Sequence, residues 1–290
     1  MQVASESPLP RNDAGQASLV LPPAFLTAVS LICAMAAARI VLPAFLCPVS
    51  PGFGRLVVFA IVFGVIPWVI CGGGSLRQCL TPVSWKLILA GAAVGLANYL
   101  PALSLSWMSA ELLGLVPPSA ADMFSGISLS ERAALAAAVI IAAPLGEELA
   151  LRGGLQPLLC SRFSPIPGVL LTALFFALLH FDLSSLAAHV EMGAVFGLLA
   201  WSARSIWPAV AAHAAHNVTA LAIVGWEATG GAPSIPLKGS VIAVLALASA
   251  CLATLLLAST FRQRQQRAKA PLKKNPVPGD VRDGRDRSEA

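Results

Sequence analysis

The chain has 290 residues, 57% of them hydrophobic and only 11% charged, with a mean hydropathy of +0.79. A water-facing globule of this size is not normally built from such a mixture, so the lipid bilayer is the solvent to reason in. The formal net charge of +5 sits at one end: residues 262–290 hold nine Lys and Arg against four acids, and 19 − 9 bases balance 14 − 4 acids elsewhere. With no aromatic residues among its charges, that tail reads as a disordered cytoplasmic end able to touch anionic lipid, not as a nucleic-acid-binding segment.

Residues 1–23 form a polar N-terminal tail with no apolar core, so the sequence predicts no cleavable signal peptide at its start. Apolar runs of about 20 residues, the length that crosses ~30 Å of hydrocarbon, then recur at 24–46, 55–71, 85–107, 132–160, 166–182, 185–201, 206–226 and 239–261. They predict an all-α polytopic membrane bundle of about eight transmembrane helices. The layout has N-terminal helices over 24–129, a polar-residue-bearing block over 130–225, a last helix over 226–261 and the basic tail over 262–290. The Cys residues at 33, 47, 71, 79, 160 and 251 form no CxxC pair and read as small hydrophobes.

Flanking charges set the expected orientation. With both termini in the cytoplasm of an integral (plasma, if bacterial) membrane protein, Arg77, Lys86, Arg162, Arg204 and the tail fall inside. Glu111, Asp122, Glu131, Asp182 and Glu227 fall outside, with Arg55, Arg132 and Lys238 as exceptions.

Ionisable groups inside such spans are functional candidates because hydrocarbon penalises them. Here they are Arg39, Glu147, Glu148, Arg152, His180, His189, Glu191, His213 and His216, with Asn98 and Asn217 beside them. Glu148 and Arg152 stand four apart with the acid first, the favourable order for a helical ion pair. Glu147 is turned about 100° from its neighbour, which suits a general base better than structural glue. Phe176 and His180 share a helix face, and so do His213 and Asn217. His216 is offset, His189 and Glu191 point to different faces, Arg39 can snorkel, and Asn98 reads as glue between helices.

Together the segments Glu147-Glu148-x-x-x-Arg152, Phe176-x-x-x-His180 and His213-x-x-x-Asn217 resemble the motifs of the CPBP family of intramembrane proteases. That family includes the CAAX prenyl protease of the Ras-converting type and bacterial bacteriocin-processing and immunity (Abi-like) members. The resemblance covers roughly residues 130–225. It implies an endopeptidase in which Glu147 activates water, His180, His213 and Asn217 complete the catalytic set, and Glu148, Arg152 and Phe176 support it. Its substrate would be a membrane-associated peptide or protein. No Ser or Cys lies among these groups, which favours water as nucleophile. Zinc held by Glu147, His180 and His213 is one form of the expectation, and a metal-free glutamate mechanism is the other. Rival readings are a non-catalytic immunity or binding member of the same fold and a proton-coupled transporter, since Glu, His and Asn also build ion relays.

Overall fold

The computed structural model describes residues 23–46, 51–71, 79–115 and 126–228. The expected helix over 239–261, the two tails and the side chain of Arg39 lie outside what is described. Among the described residues every regular element is helical: α1 Pro23–Leu46, α2 Pro51–Phe59, α3 Ile66–Cys71, α4 Trp85–Ala97, α5 Tyr99–Leu113, α6 Leu129–Ala137, α7 Ala143–Glu148, α8 Gln156–Phe163, α9 Pro165–Leu178, α10 Leu186–Ala203 and α11 Trp207–Ala228. Three π-helical stretches, Ala60–Val65, Ala138–Ala142 and Leu149–Leu155, join α2 to α3, α6 to α7 and α7 to α8.

The all-α membrane bundle matches the expectation. Among the described residues five stretches are long and apolar enough to cross a membrane: Val29–Leu46, Phe53–Ile70, Trp85–Leu113, Leu129–Phe163 and Leu186–Ala203. α11, at 22 residues, is long enough, but His213, His216 and Asn217 in its middle dilute its apolar character. α9 has only 14 residues, a rise of ~21 Å against ~30 Å of hydrocarbon. The apolar run 166–182 predicts a longer span than this one. The helix in fact stops at Leu178, and a helix that short ends inside the depth of the bundle.

Local chemistry sets the ends of these rods. Ser128 accepts the Glu131 backbone N–H at 3.3 Å, and this Ser-x-x-Glu opening starts the long rod 129–163. Gly114, at φ 62°, closes α5 in the left-handed conformation that glycine adopts without strain. Pro165 opens α9, where its missing N–H costs nothing.

Within lipid, helices associate through close van der Waals contact at small residues. A Cβ on Gly91 would collide with the Pro208 carbonyl, and one on Gly95 with the Ala212 carbonyl, so α4 and α11 lie backbone against backbone. Val94, Phe196, Leu199, Ala209 and Ala212 fill that seam. A second core joins Leu31 and Met35 of α1 to Val62 and Phe63, and to Leu151, Leu155 and Phe176 of the polar half.

At one end of the bundle the Ser205 hydroxyl donates to the Thr81 carbonyl at 2.7 Å and Trp207 Nε1 to the Leu80 carbonyl at 3.3 Å. There a cavity of about 440 Å³ is lined by Thr27, Cys79, Cys160 and Arg204, among others. The starts of α1 and α4 therefore share an end with the finishes of α8 and α10, which gathers Lys86, Arg162 and Arg204 there. Burial pushes the Cys79 thiol up to about 11, against a backbone hydrogen bond that lowers it, so this cysteine is a poor nucleophile.

Candidate active site

The long rod 129–163 carries the acids. α7, with Glu147 and Glu148, is suspended between two π-helical turns, a feature frequent where a helix serves a function. Each turn is tied to a neighbouring helix by a side chain. Asn217 Nδ2 donates to the Val139 carbonyl at 2.8 Å, which fixes the upstream turn to α11. Arg152 Nη2 donates to the Gly193 carbonyl at 2.9 Å and Gln156 Nε2 to the Gly197 carbonyl at 3.0 Å, which fixes the downstream turn to α10.

Glu148 is fully buried and is answered from two sides. Its Oε1 lies 3.2 Å from Arg152 Nη1 and 3.1 Å from His213 Nδ1. The pairing of Glu148 with Arg152 follows the four-residue spacing. Its contact with His213, 65 residues away, is the feature that spacing could not supply. The Arg152 guanidinium also stands 4.9 Å from the Phe176 ring centroid, a cation–π contact in a site shielded from water.

Glu147 faces the imidazoles. Its Oε2 is 4.0 Å from His180 Nε2 and 4.0 Å from His213 Nε2. The partners at the other ring nitrogen decide where the protons are. His180 Nδ1 sits 2.8 Å from the Phe176 carbonyl, an oxygen that can only accept, so Nδ1 carries the hydrogen and the neutral ring presents a lone pair at Nε2. His213 Nδ1 meets the ion-paired Glu148 carboxylate, which assigns it the same tautomer. Two nitrogen lone pairs and a carboxylate oxygen thus converge, and what fits between them is a group that donates hydrogen bonds or carries positive charge.

The kinds of donor would suit zinc, and the three groups would have to close together to hold it. Ligands around a tetrahedral zinc with bonds of 2.0–2.1 Å stand roughly 3.3 Å apart, closer than the 4.0 Å found. Among the described residues no three His, Cys, Asp or Glu side chains are grouped as a metal site. Acceptors sharing one water through hydrogen bonds of ~2.8 Å stand about 4–4.5 Å apart, which the observed separations satisfy.

Of the residues marked in the sequence, Glu147, Glu148, Arg152, Phe176, His180 and His213 are brought together. Asn217 is placed by its bond to Val139 near the same rod. Asn98 pairs with Glu191, Nδ2 to Oε2, at 2.9 Å, as glue between the α4–α5 break and α10. His216 is buried with its ring 5.4 Å from that of Tyr99. Gln156 carried no mark in the sequence, and His189 was marked there without a partner. Gln156 repeats the role of Arg152 one turn on, and the matching i, i+4 pairs Arg152/Gln156 and Gly193/Gly197 were the signal. His189 stacks on His180 with ring centroids 4.1 Å apart, a contact no local spacing predicts.

Residues 129–219 match the family model described as "Type II CAAX prenyl endopeptidase Rce1-like". The match opens on the first residue of α6, runs two residues past Asn217 and contains all three motifs. This segment is similar to the CPBP/CAAX protease family, and α1 to α5 lie outside the match. Searches of curated proteins and of solved structures returned no match.

Proposed function

We propose that this chain, similar to the CAAX protease family through residues 129–219, is an intramembrane endopeptidase that cleaves a membrane-associated peptide or protein with water as nucleophile. The observation that carries the reading is the convergence of Glu147 Oε2 with the Nε2 atoms of His180 and His213, each at 4.0 Å. A water held there donates one hydrogen to Glu147 Oε2, with His180 Nε2 beside it, and the other to His213 Nε2, and keeps its oxygen lone pairs for a scissile carbonyl.

In the reaction Glu147, with His180, takes the proton as the water oxygen bonds to the carbonyl carbon. The negative charge that develops on the carbonyl oxygen is met by the second N–H of the Asn217 amide, whose first is committed to Val139, while His213 Nε2 keeps the second hydrogen of the attacking water. Glu148 holds His213 by Nδ1 and is itself neutralised by Arg152. Collapse breaks the C–N bond, and the proton on Glu147 passes to the leaving amine. Were zinc bound after closure of the three groups, Glu147, His180 and His213 would hold it and it would acidify the water. The water reading is preferred on the spacing alone.

The test is incubation of the purified chain in proteoliposomes with a farnesylated peptide ending in Cys-aliphatic-aliphatic-Met and with unprenylated controls, in water enriched in oxygen-18. The expected result is a single mapped cut with one oxygen-18 in the new carboxyl group. A cut carrying no label, or a covalent acyl-protein intermediate, would reject the mechanism. Zinc content and chelator sensitivity of the same preparation separate the two forms of water activation.

A further inference from the structure

His180 is the least secured member of the convergent set. It lies past the end of α9 at Leu178, in a turn where its own N–H reaches the Ala177 carbonyl at 3.1 Å and the next residue, Phe181, has φ 53°. Its side chain is 23% exposed, against 4% for that of Glu147. The Nδ1 bond to the Phe176 carbonyl at 2.8 Å leaves the ring free to swing about that contact, a motion that lateral contacts with its neighbours oppose.

The ring meets Phe176 at a centroid distance of 4.7 Å and a 53° tilt, and His189 stacks on it near-parallel at 4.1 Å and 22°. His189 also touches Phe176 edge-on at 6.3 Å, so the three rings form a closed cluster in which Phe176 and His189 hold His180 from directions roughly at right angles. Arg152 stands over Phe176 at 4.9 Å and joins that cluster to the Glu148 ion pair. His189 itself is anchored in the first turn of α10, where its N–H donates to the Ser185 carbonyl at 2.9 Å.

We propose that His189 is a positioning residue: by stacking on a face of His180, at right angles to the Phe176 contact, it completes a clamp that keeps His180 Nε2 turned toward Glu147. The inference rests on the proposed protease reading for its kinetic arm only. The ring face, rather than a ring nitrogen, does the holding, so an aromatic ring without nitrogen substitutes for it. Aromatic pairs in this range contribute about 0.5–1.5 kcal/mol beyond burial, and displacement of a reacting group by an ångström costs up to about 10²-fold in rate.

The experiment compares His189→Ala with His189→Phe in the full chain, reconstituted in lipid, on the farnesylated peptide. Expected for H189A is a fall in kcat of roughly ten- to 10²-fold with KM within about threefold, and for H189F a return to within about threefold of the parent. A second arm needs no substrate. The chain has only four histidines, so imidazole nitrogen-15 labelling gives four assignable rings, and the His180 ring signals should shift in H189A and hold in H189F. Parent kcat in H189A, equal impairment in both variants, or unmoved His180 signals in H189A would each overturn the clamp. A Glu147→Gln control that still cleaves would instead strike the protease reading, and the labelling arm would continue to decide the clamp.

Discussion

Arg152 answers the Glu148 carboxylate, the Gly193 carbonyl and the Phe176 ring at once. Removing it would strand a fully buried carboxylate, and breaking a buried pair from one side costs about 3–5 kcal/mol. Arg152→Ala is therefore expected to unfold far more readily in denaturant than the parent, and Glu148→Gln added to it should restore part of the loss. Asp182, in the turn between α9 and α10, makes a different kind of prediction. Burial works to raise its carboxyl, but hydrogen bonds from the Ser184 and Ser185 side chains, the His189 charge and the Ser184 N–H outweigh it and hold it below its ordinary value near 3.8. A lowered carboxyl contributes stability that is complete above the unfolded value and is lost as pH falls through the folded one. Unfolding profiles should show acid destabilisation beginning near pH 4 in the parent, and Asp182→Asn should lack that component.

At the level of elements, the tight seam between α4 and α11 sets where His213 stands. Gly95→Val would drive a side chain into the Ala212 backbone, which cannot yield as a flexible side chain would. A loss of about 1–3 kcal/mol is expected from such overpacking, read by denaturant unfolding in detergent. Gly225→Ala, with open space at its Cβ position, should leave stability unchanged. The sequence made most of the rod 129–163 legible as the apolar run 132–160, and the Glu148–Arg152 pair through a spacing that helix geometry fixes. It did not disclose the π-helical turns on either side of Glu147, because their bonding is stabilised by Asn217, Arg152 and Gln156 reaching across to carbonyls and helices distant in sequence. The short α9 was missed because apolar residues continue to Leu179 although the helix stops at Leu178. The His180–His189 stack depends on how the α9–α10 turn folds back, which no periodicity encodes.

For the molecule as a whole, the polar groups of α7 to α11 are held in a frame to which the N-terminal helices contribute directly. Leu31, Met35, Val62 and Phe63 pack against Leu151 and Leu155 of the catalytic rod. A Cβ on Gly146, next to Glu147, would stand 2.7 Å from Phe63 Cβ. The segment that matches the family model is thus not self-sufficient in packing: truncation to 129–219 is expected to yield no folded protein, as judged by monodispersity in detergent. The central claim is that Glu147 with its two facing imidazoles is a hydrolytic centre. The most direct measurement is turnover of a membrane-associated peptide by purified parent, Glu147→Gln and His180→Ala in the same lipid, with folding checked in parallel. The account predicts a fall of about 10²–10⁴-fold in kcat for each variant with the bundle intact. Cleavage at the parent rate by both folded variants would contradict it.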